Sequence, residues 1–243
     1  MARIFLAGAS GLIGQRLVPL LVQAGHHVIG TTRTGGKTAL LRSLGATPVV
    51  VDVFDAAALR RLVVASEAEV VIHQLTSLPD DLSSLEGAPL ERAIRDNARI
   101  RTEGTPNLVA AALAAGARRL IAQSLLSIYA PGRGRHMEND PVNVGATGLA
   151  GITVQGTMAL EGTVLGAAAL APVVLRYGYL YGAGTNHDVP WRDPAVHVDA
   201  AAHAAALAVD LGSGVYNVAD PSPYASSERA RRELGWESSF RNG

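Results

Sequence analysis

Short runs of apolar and β-branched residues alternate along this chain with longer alanine- and leucine-rich stretches. The runs at Arg3 to Ala7, His27 to Thr31, Thr47 to Asp52, Val70 to Leu75, Arg119 to Ser124 and Pro172 to Tyr177 are continuous in hydrophobicity. Strands that expose one face to water would alternate, so these runs predict strands buried on both faces. The stretches between them predict helices that cover the two faces, which makes an α/β protein with a doubly wound parallel sheet. From Gly11 to Ala24 an apolar face is formed by Leu12, Ile13, Leu17, Leu20 and Leu21, and Gly25 supplies the stop. A last short helix is expected between Ser226 and Trp236.

From Pro131 the pattern loosens, with Gly132, Gly134, Pro141, Gly145, Gly148 and Gly151 in quick succession. Such a stretch reads as loops laid over a sheet, where substrates are usually held. The organisation expected is a Rossmann-like domain over residues 1–182 with a small, reduced substrate-side region over 183–243 packed on it. A chain of 243 residues can bury one substantial core but not two equal ones.

Composition narrows the chemistry. Lysine plus arginine and aspartate plus glutamate are balanced at 21 each, so no global field would draw nucleic acid or an anionic membrane. There is no cysteine, which removes disulfides, thiolate metal sites and a cysteine nucleophile together. Gly8 interrupts the opening apolar run before a signal peptide could form, and the longer apolar stretches are broken by charges and proline, so no membrane span is expected and cytoplasm is the default location. A small molecule is the partner to look for.

The densest signal is Gly8-Ala9-Ser10-Gly11-Leu12-Ile13-Gly14, directly after the first strand and opening the first helix. Glycines there permit a tight reversal, close approach of a backbone to a diphosphate, and close packing of helix on strand, with the helix N-terminus facing the anion. Dinucleotide binding is the reading. At the end of the second strand, where a carboxylate would take a ribose 2′-hydroxyl, this chain has Thr32 and Arg33, followed by Lys37. Cations at that point favour the 2′-phosphate of NADP(H) over NAD(H). The candidate cofactor contacts are Gly8, Ser10, Gly11, Leu12, Ile13, Gly14, Thr32, Arg33, Lys37, Asp52, Val53, Gln74, Leu75 and Thr76, with Asp52 alternatively a cap for the helix that follows it. Gly35-Gly36-Lys37-Thr38 looks like the end of a P-loop, but the glycine required upstream is Thr31, so triphosphate hydrolysis is set aside. His197, Asp199 and His203 lack the further ligands of a metal site, and no metal is expected.

With these residues in hand, the chain resembles the extended short-chain dehydrogenase/reductase family, which includes nucleotide-sugar epimerases and dehydratases. The resemblance rests on Gly8, Gly11 and Gly14, on Val71-Ile72-His73, on Asn97 with Gly104-Thr105-Pro106-Asn107-Leu108, on Leu175-Arg176 leading to Tyr181-Gly182-Ala183-Gly184, on His197-Val198-Asp199, on Val215-Tyr216-Asn217-Val218 and on Arg231 to Trp236. It implies a Rossmann fold and an NAD(P)-dependent reaction; relatives often dimerise, and a homodimer is left open. It also implies a serine or threonine and a Tyr-x-x-x-Lys pair, the tyrosine as general acid/base and the lysine lowering its pKa.

Here the pattern breaks. Leu125 stands at the serine/threonine position, Thr153 at the tyrosine and Thr157 at the lysine; Lys37 is the chain's only lysine. A threonine hydroxyl cannot replace a tuned phenol as proton donor. Displaced candidates are Ser124, Ser127, Tyr129 and Tyr179, followed by Tyr177, Tyr181, His73 and His136. The leading reading is an NADP(H)-binding reductase, epimerase or dehydratase of a small metabolite with a displaced acid/base. Alternatives are a redox-neutral isomerase, cyclase or dehydratase, and a non-enzymatic NADP(H) sensor.

Overall fold

The structure is a computed structural model that describes residues 1–79, 82, 84–132 and 134–242. Nine strands are assigned among them: β1 (Arg3–Ala7), β2 (His27–Thr32), β3 (Thr47–Val50), β4 (Val70–His73), β5 (Arg119–Leu125), β6 (Val173–Tyr177), β7 (Tyr179–Tyr181), β8 (Ala195–His197) and β9 (Gly214–Val218). The helices are α1 (Leu12–Gln23), α2 (Thr38–Ser43), α3 (Ala56–Ala65), α4 (Gly87–Arg99), α5 (Thr105–Ala114), α6 (Gly148–Gly166), α7 (Val198–Leu207) and α8 (Glu228–Leu234).

Seven strands form one parallel sheet in the order β3-β2-β1-β4-β5-β6-β9. Successive side chains of a strand point to opposite faces. Ile4 and Leu6 of β1 therefore enter a core with Leu17 and Leu21 of α1 and the alanines of α7. Phe5 and Ala7 enter a second core with Leu59 of α3, Leu108 of α5 and Leu160 of α6. Ile4, Phe5, Leu6 and Ala7 are at most 2% exposed, as a strand covered on both faces must be.

Helix α1 ends as its sequence predicts. Gly25 adopts φ +81°, His26 N–H donates to Leu21 O and Gly25 N–H to Val22 O, which closes the last turn. Two strands stop short of the expected limits. β4 ends at His73 because the His73 imidazole Nδ1 accepts the Leu75 N–H and turns the chain out of the sheet. β3 makes its last ladder bond through Val51 N–H to Thr32 O, leaving Asp52 outside. Two elements extend the sequence pattern: a small parallel pair, β7 with β8, and β9 as the seventh strand of the main sheet. The described residues after 182 thus contribute β9 to the main sheet, β8 to the small pair and α7 to the layer against α1.

Between α4 and α5 the helix continues through one π turn, Ile100–Gly104. Such turns insert a residue into an α-helix and are frequent at functional sites. Here the turn keeps Asn97, Arg101 and Thr105 on one inward face, each 7% exposed or less.

Candidate functional site

The glycine turn is close-packed from both sides. A Cβ on Gly8 would sit 2.5 Å from Gln74 O, and one on Gly14 would sit 2.3 Å from Gly8 O. Gly8 also adopts φ +89°, and its N–H donates to Thr31 Oγ1 at 3.1 Å. Helix α1 has no side-chain cap and no acidic residue in its first turn, so its N-terminal dipole is uncompensated. That is an anion cradle.

From this turn a cavity of about 1040 Å³ follows the C-terminal edge of the sheet. Single-ligand pockets reach about 1,000 Å³, so this one has room for an extended dinucleotide with a substrate beside it. One end is lined by Thr32, Arg33 and Lys37; the middle by Gly8, Ser10, Gly11, Leu12 and Ile13; the other by Gln74, Leu75, Thr76, Leu125, Thr153 and Tyr179. No aspartate or glutamate lines it among the described residues. Arg33 and Lys37 are exposed and make no ion pair there.

Of the cofactor candidates, Gly14 and Asp52 do not line the cavity. Gly14 works one layer behind, letting α1 seat against the turn. Asp52 is exposed and accepts the Phe54 N–H, while Asp55 caps α3 by accepting the Ala58 N–H, so Asp52 is not the cap of the helix that follows it. Val53 lines the wall, held where Gly104 and Asn107 of the helix approach it. Gln74 is 6% exposed with its Oε1 buried and unpaired among the described residues, and it stands on the cavity wall.

The catalytic candidates separate into two groups. Ser127 and Tyr179 line the cavity; Ser124 and Tyr129 do not. Ser124 Oγ donates to Glu161 Oε1 at 2.5 Å, and Glu161 holds Arg176 through both carboxylate oxygens at 2.8 and 2.6 Å. Arg176 Nη1 donates to Tyr129 OH, which donates to Asn217 Oδ1. This is a buried network that ties β5, α6, β6 and β9 together, and Ser124 and Tyr129 are consumed by it. Burial raises the Tyr129 pKa, which removes it further from proton transfer near neutrality.

The other proton candidates are also occupied. His73 is 1% exposed; its Nδ1 accepts from Leu75 N–H, so Nε2 carries the proton and faces Thr105 Oγ1 at 3.0 Å. Burial, reinforced by the Arg101 charge, lowers its pKa to about 4. Tyr177 is buried with its pKa raised by desolvation. Tyr181 donates to Asp220, and His136 is stacked on Tyr129. Tyr179 is the phenol that reaches the cavity among the described residues, with Trp191 edge-on at 5.4 Å and the Arg192 guanidinium 4.6 Å above its ring.

At the positions of the missing pair, both hydroxyl protons return to the helix: Thr153 Oγ1 donates to Leu149 O and Thr157 Oγ1 to Thr153 O. Arg101 was not singled out from the sequence, yet it lines the cavity and its Nη1 donates to Thr157 Oγ1 at 2.9 Å. Its signal was the four-residue spacing of Asn97, Arg101 and Thr105. His197 and Asp199 carry the architecture: His197 Nδ1 caps α7 by accepting the Asp199 N–H, and Asp199 pairs with Arg16 of α1 at 3.0 Å.

Comparisons with known proteins agree with this geometry. Residues 8–186 match the NAD(P)H-binding family. The chain is 42% identical over 193 residues to the 3-diazoavenalumate denitrifying reductase of a Streptomyces species, an alignment of 76% of this chain with 58% of that protein. It therefore spans less than two thirds of that relative's length. Among solved structures, UDP-glucose 4-epimerase from Brucella ovis in complex with NAD superposes with a TM-score of 0.76 at 18% identity, covering 100% of this chain and 95% of that one. UDP-glucuronic acid 4-epimerase from Bacillus cereus, with UDP-glucuronic acid and NAD, gives 0.76 at 17% identity, covering 98% and 95%.

Proposed function

The chain belongs to the NAD(P)H-binding family, and on that premise we propose that it is an NADPH-dependent reductase whose hydride acceptor needs no proton from a phenol. One observation carries this reading: the cavity wall presents Leu125 and Thr153 at the positions where the family resemblance implies a serine or threonine and the acid/base tyrosine, while the glycine turn is intact.

The residues fit the cofactor. Gly8, Gly11 and the first turn of α1 would hold the diphosphate; Gln74, with an acceptor still unpaired, and Leu75 and Thr76 would border the second nucleotide. Thr32, Arg33 and Lys37 would receive a 2′-phosphate, and the lack of a carboxylate on the wall among the described residues supports NADP(H) over NAD(H). When bound, the cofactor supplies a hydride. Leu125, Leu149 and Val154 supply apolar surface beside Thr153 and Tyr179 on the cavity wall.

Such a chamber suits a substrate that accepts hydride and loses a neutral leaving group. A diazo-bearing arene of the kind named for the Streptomyces relative meets that condition. In its diazonium form a C–H bond forms, the C–N bond breaks and its electron pair leaves with dinitrogen, so no oxygen has to be protonated. The test is anaerobic incubation with an aryl diazonium carboxylate and NADPH deuterated at the nicotinamide C4. Dinitrogen release with deuterium at the carbon that carried nitrogen is expected. NADPH binding without any hydride transfer would instead favour a redox-neutral reaction.

A further inference from the structure

The absent tyrosine and lysine leave space as well as a chemical gap. With threonines at 153 and 157, the cavity extends between α4 and α6, where Leu90, Ile94, Leu149, Ala150 and Val154 form apolar walls. Arg101 closes the recess. It is 7% exposed, and its Nη1 is spent on Thr157 Oγ1 and, at 3.5 Å, on Thr153 O. Its Nε and Nη2 make no hydrogen bond among the described residues, and no carboxylate pairs with it there. Glu161, the acidic group whose charge reaches it, is already held by Arg176 through both oxygens.

A buried guanidinium without a counter-ion is costly, because desolvation is repaid only when a charge or strong acceptors complete its shell. Burial lowers its pKa only to about 10, so it remains cationic at neutral pH. Two unbonded donors on a fixed planar fork, on a residue of the cavity wall, match the two oxygens of a carboxylate. A sugar ring would leave several hydroxyls unpaired against those leucine and isoleucine walls.

We propose that this recess is a carboxylate-binding subsite: the substrate is an organic acid with an apolar stem, its carboxylate seated on Arg101. This rests on the reductase reading and names the substrate class of the same cavity.

The experiment is calorimetric titration of the NADP⁺-loaded protein with cinnamate, with neutral cinnamamide and with UDP-glucose. Cinnamate is expected to bind at least tenfold more tightly than cinnamamide, and UDP-glucose not to compete with it. Arg101→Met should bring cinnamate down to the level of cinnamamide, Arg101→Lys should retain part of the preference, and the affinity for NADP⁺ should change less than twofold in both. Thr153→Tyr refills the recess from its wall and should block cinnamate without touching the cation, so the proposal stays open to test if Arg101→Met does not fold. Equal binding of acid and amide by the wild type overturns the subsite. So does an Arg101→Met variant that loses NADP⁺ affinity while keeping the preference for the acid, since Arg101 would then anchor the cofactor. Failure of the wild type to bind NADP⁺ or NADPH at all would sink the reductase reading instead.

Discussion

At the glycine turn, packing is set by single residues. Gly14 has no room for a methyl group, because its Cβ would meet Gly8 O and Ala9 O at 2.3 and 2.6 Å, both backbone atoms that cannot swing aside. Gly14→Ala should therefore abolish measurable NADPH binding and lower the thermal midpoint, read by titration and calorimetry on the same sample. Arg33 makes no ion pair among the described residues, and a charge-assisted contact to a 2′-phosphate at an exposed position is worth about 1–2 kcal/mol. Arg33→Ala should raise the Kd for NADPH roughly tenfold and leave that for NADH unchanged; an equal loss for both would remove Arg33 from the 2′ position. His73 gives a pH prediction. Its folded pKa lies below its unfolded value, so the stability it contributes is complete above the unfolded pKa and lost as pH falls toward the folded one. Between 6.5 and about 4 the protein should take up one extra proton on unfolding and lose roughly 3 kcal/mol, a slope that His73→Gln would flatten in urea titrations. The glycines of the turn were legible in the chain because each answers a local demand of backbone geometry or close packing. The roles of Ser124 and Tyr129 were not, since a hydroxyl that faces the cavity and one that faces Glu161 or Arg176 look alike until strands β5 and β6 are side by side.

At the scale of elements, the alternation of apolar runs revealed the six strands of the nucleotide-binding sheet and the helix after the glycine turn, because continuous burial leaves a one-dimensional trace. β9 was harder to see: Gly214–Val218 carries a tyrosine and an asparagine, and Asn217 is 0% exposed only because Glu138, Tyr129 and the His136 carbonyl satisfy it. The π turn was equally hidden. Arg92, Arg95 and Arg99 mark a solvated helix face; Arg101 falls on the opposite face with Asn97 and Thr105 by its four-residue spacing, and the π turn, which has no mark in the sequence, keeps the three in line. The buried network across β5, α6, β6 and β9 has its own test. Glu161→Gln would leave the Arg176 guanidinium without its fork partner in a buried setting, which costs about 3–5 kcal/mol. Urea unfolding should show that loss, and because none of these groups lines the cavity, NADPH affinity of the fraction that remains folded should stay within twofold. A variant that keeps its stability would mean that the pair is solvated and the network is not what aligns the strands.

For the whole molecule, the question is whether residues 183–243 form a separate lobe or part of the core. Their contacts favour the second answer. α7 lies against α1, joined by Arg16 to Asp199, Arg16 Nη2 also donates to Ala183 O, and α1 is the helix whose first turn lines the cavity. Trp236 is fully buried and donates from Nε1 to Ala200 O at 2.8 Å, which fixes the last helix onto α7. β9 covers the edge of β6, so removing residues 183–243 would strip a strand from one side of the sheet and the α7 layer from α1 at the same time. We expect a fragment of residues 1–182 to lack a cooperative transition and to bind no NADPH, whereas the full chain unfolds in one step. Ligand that binds only the folded state at 100 times its Kd adds about 2.7 kcal/mol, which for a chain of this size is roughly 5–10 °C in midpoint. NADPH should move the whole transition by that amount, including signals from Trp236, a probe that lies in the C-terminal stretch and far from the glycine turn in sequence. A transition that splits in two, with only the earlier residues stabilised by NADPH, would show instead that the C-terminal stretch folds as its own unit.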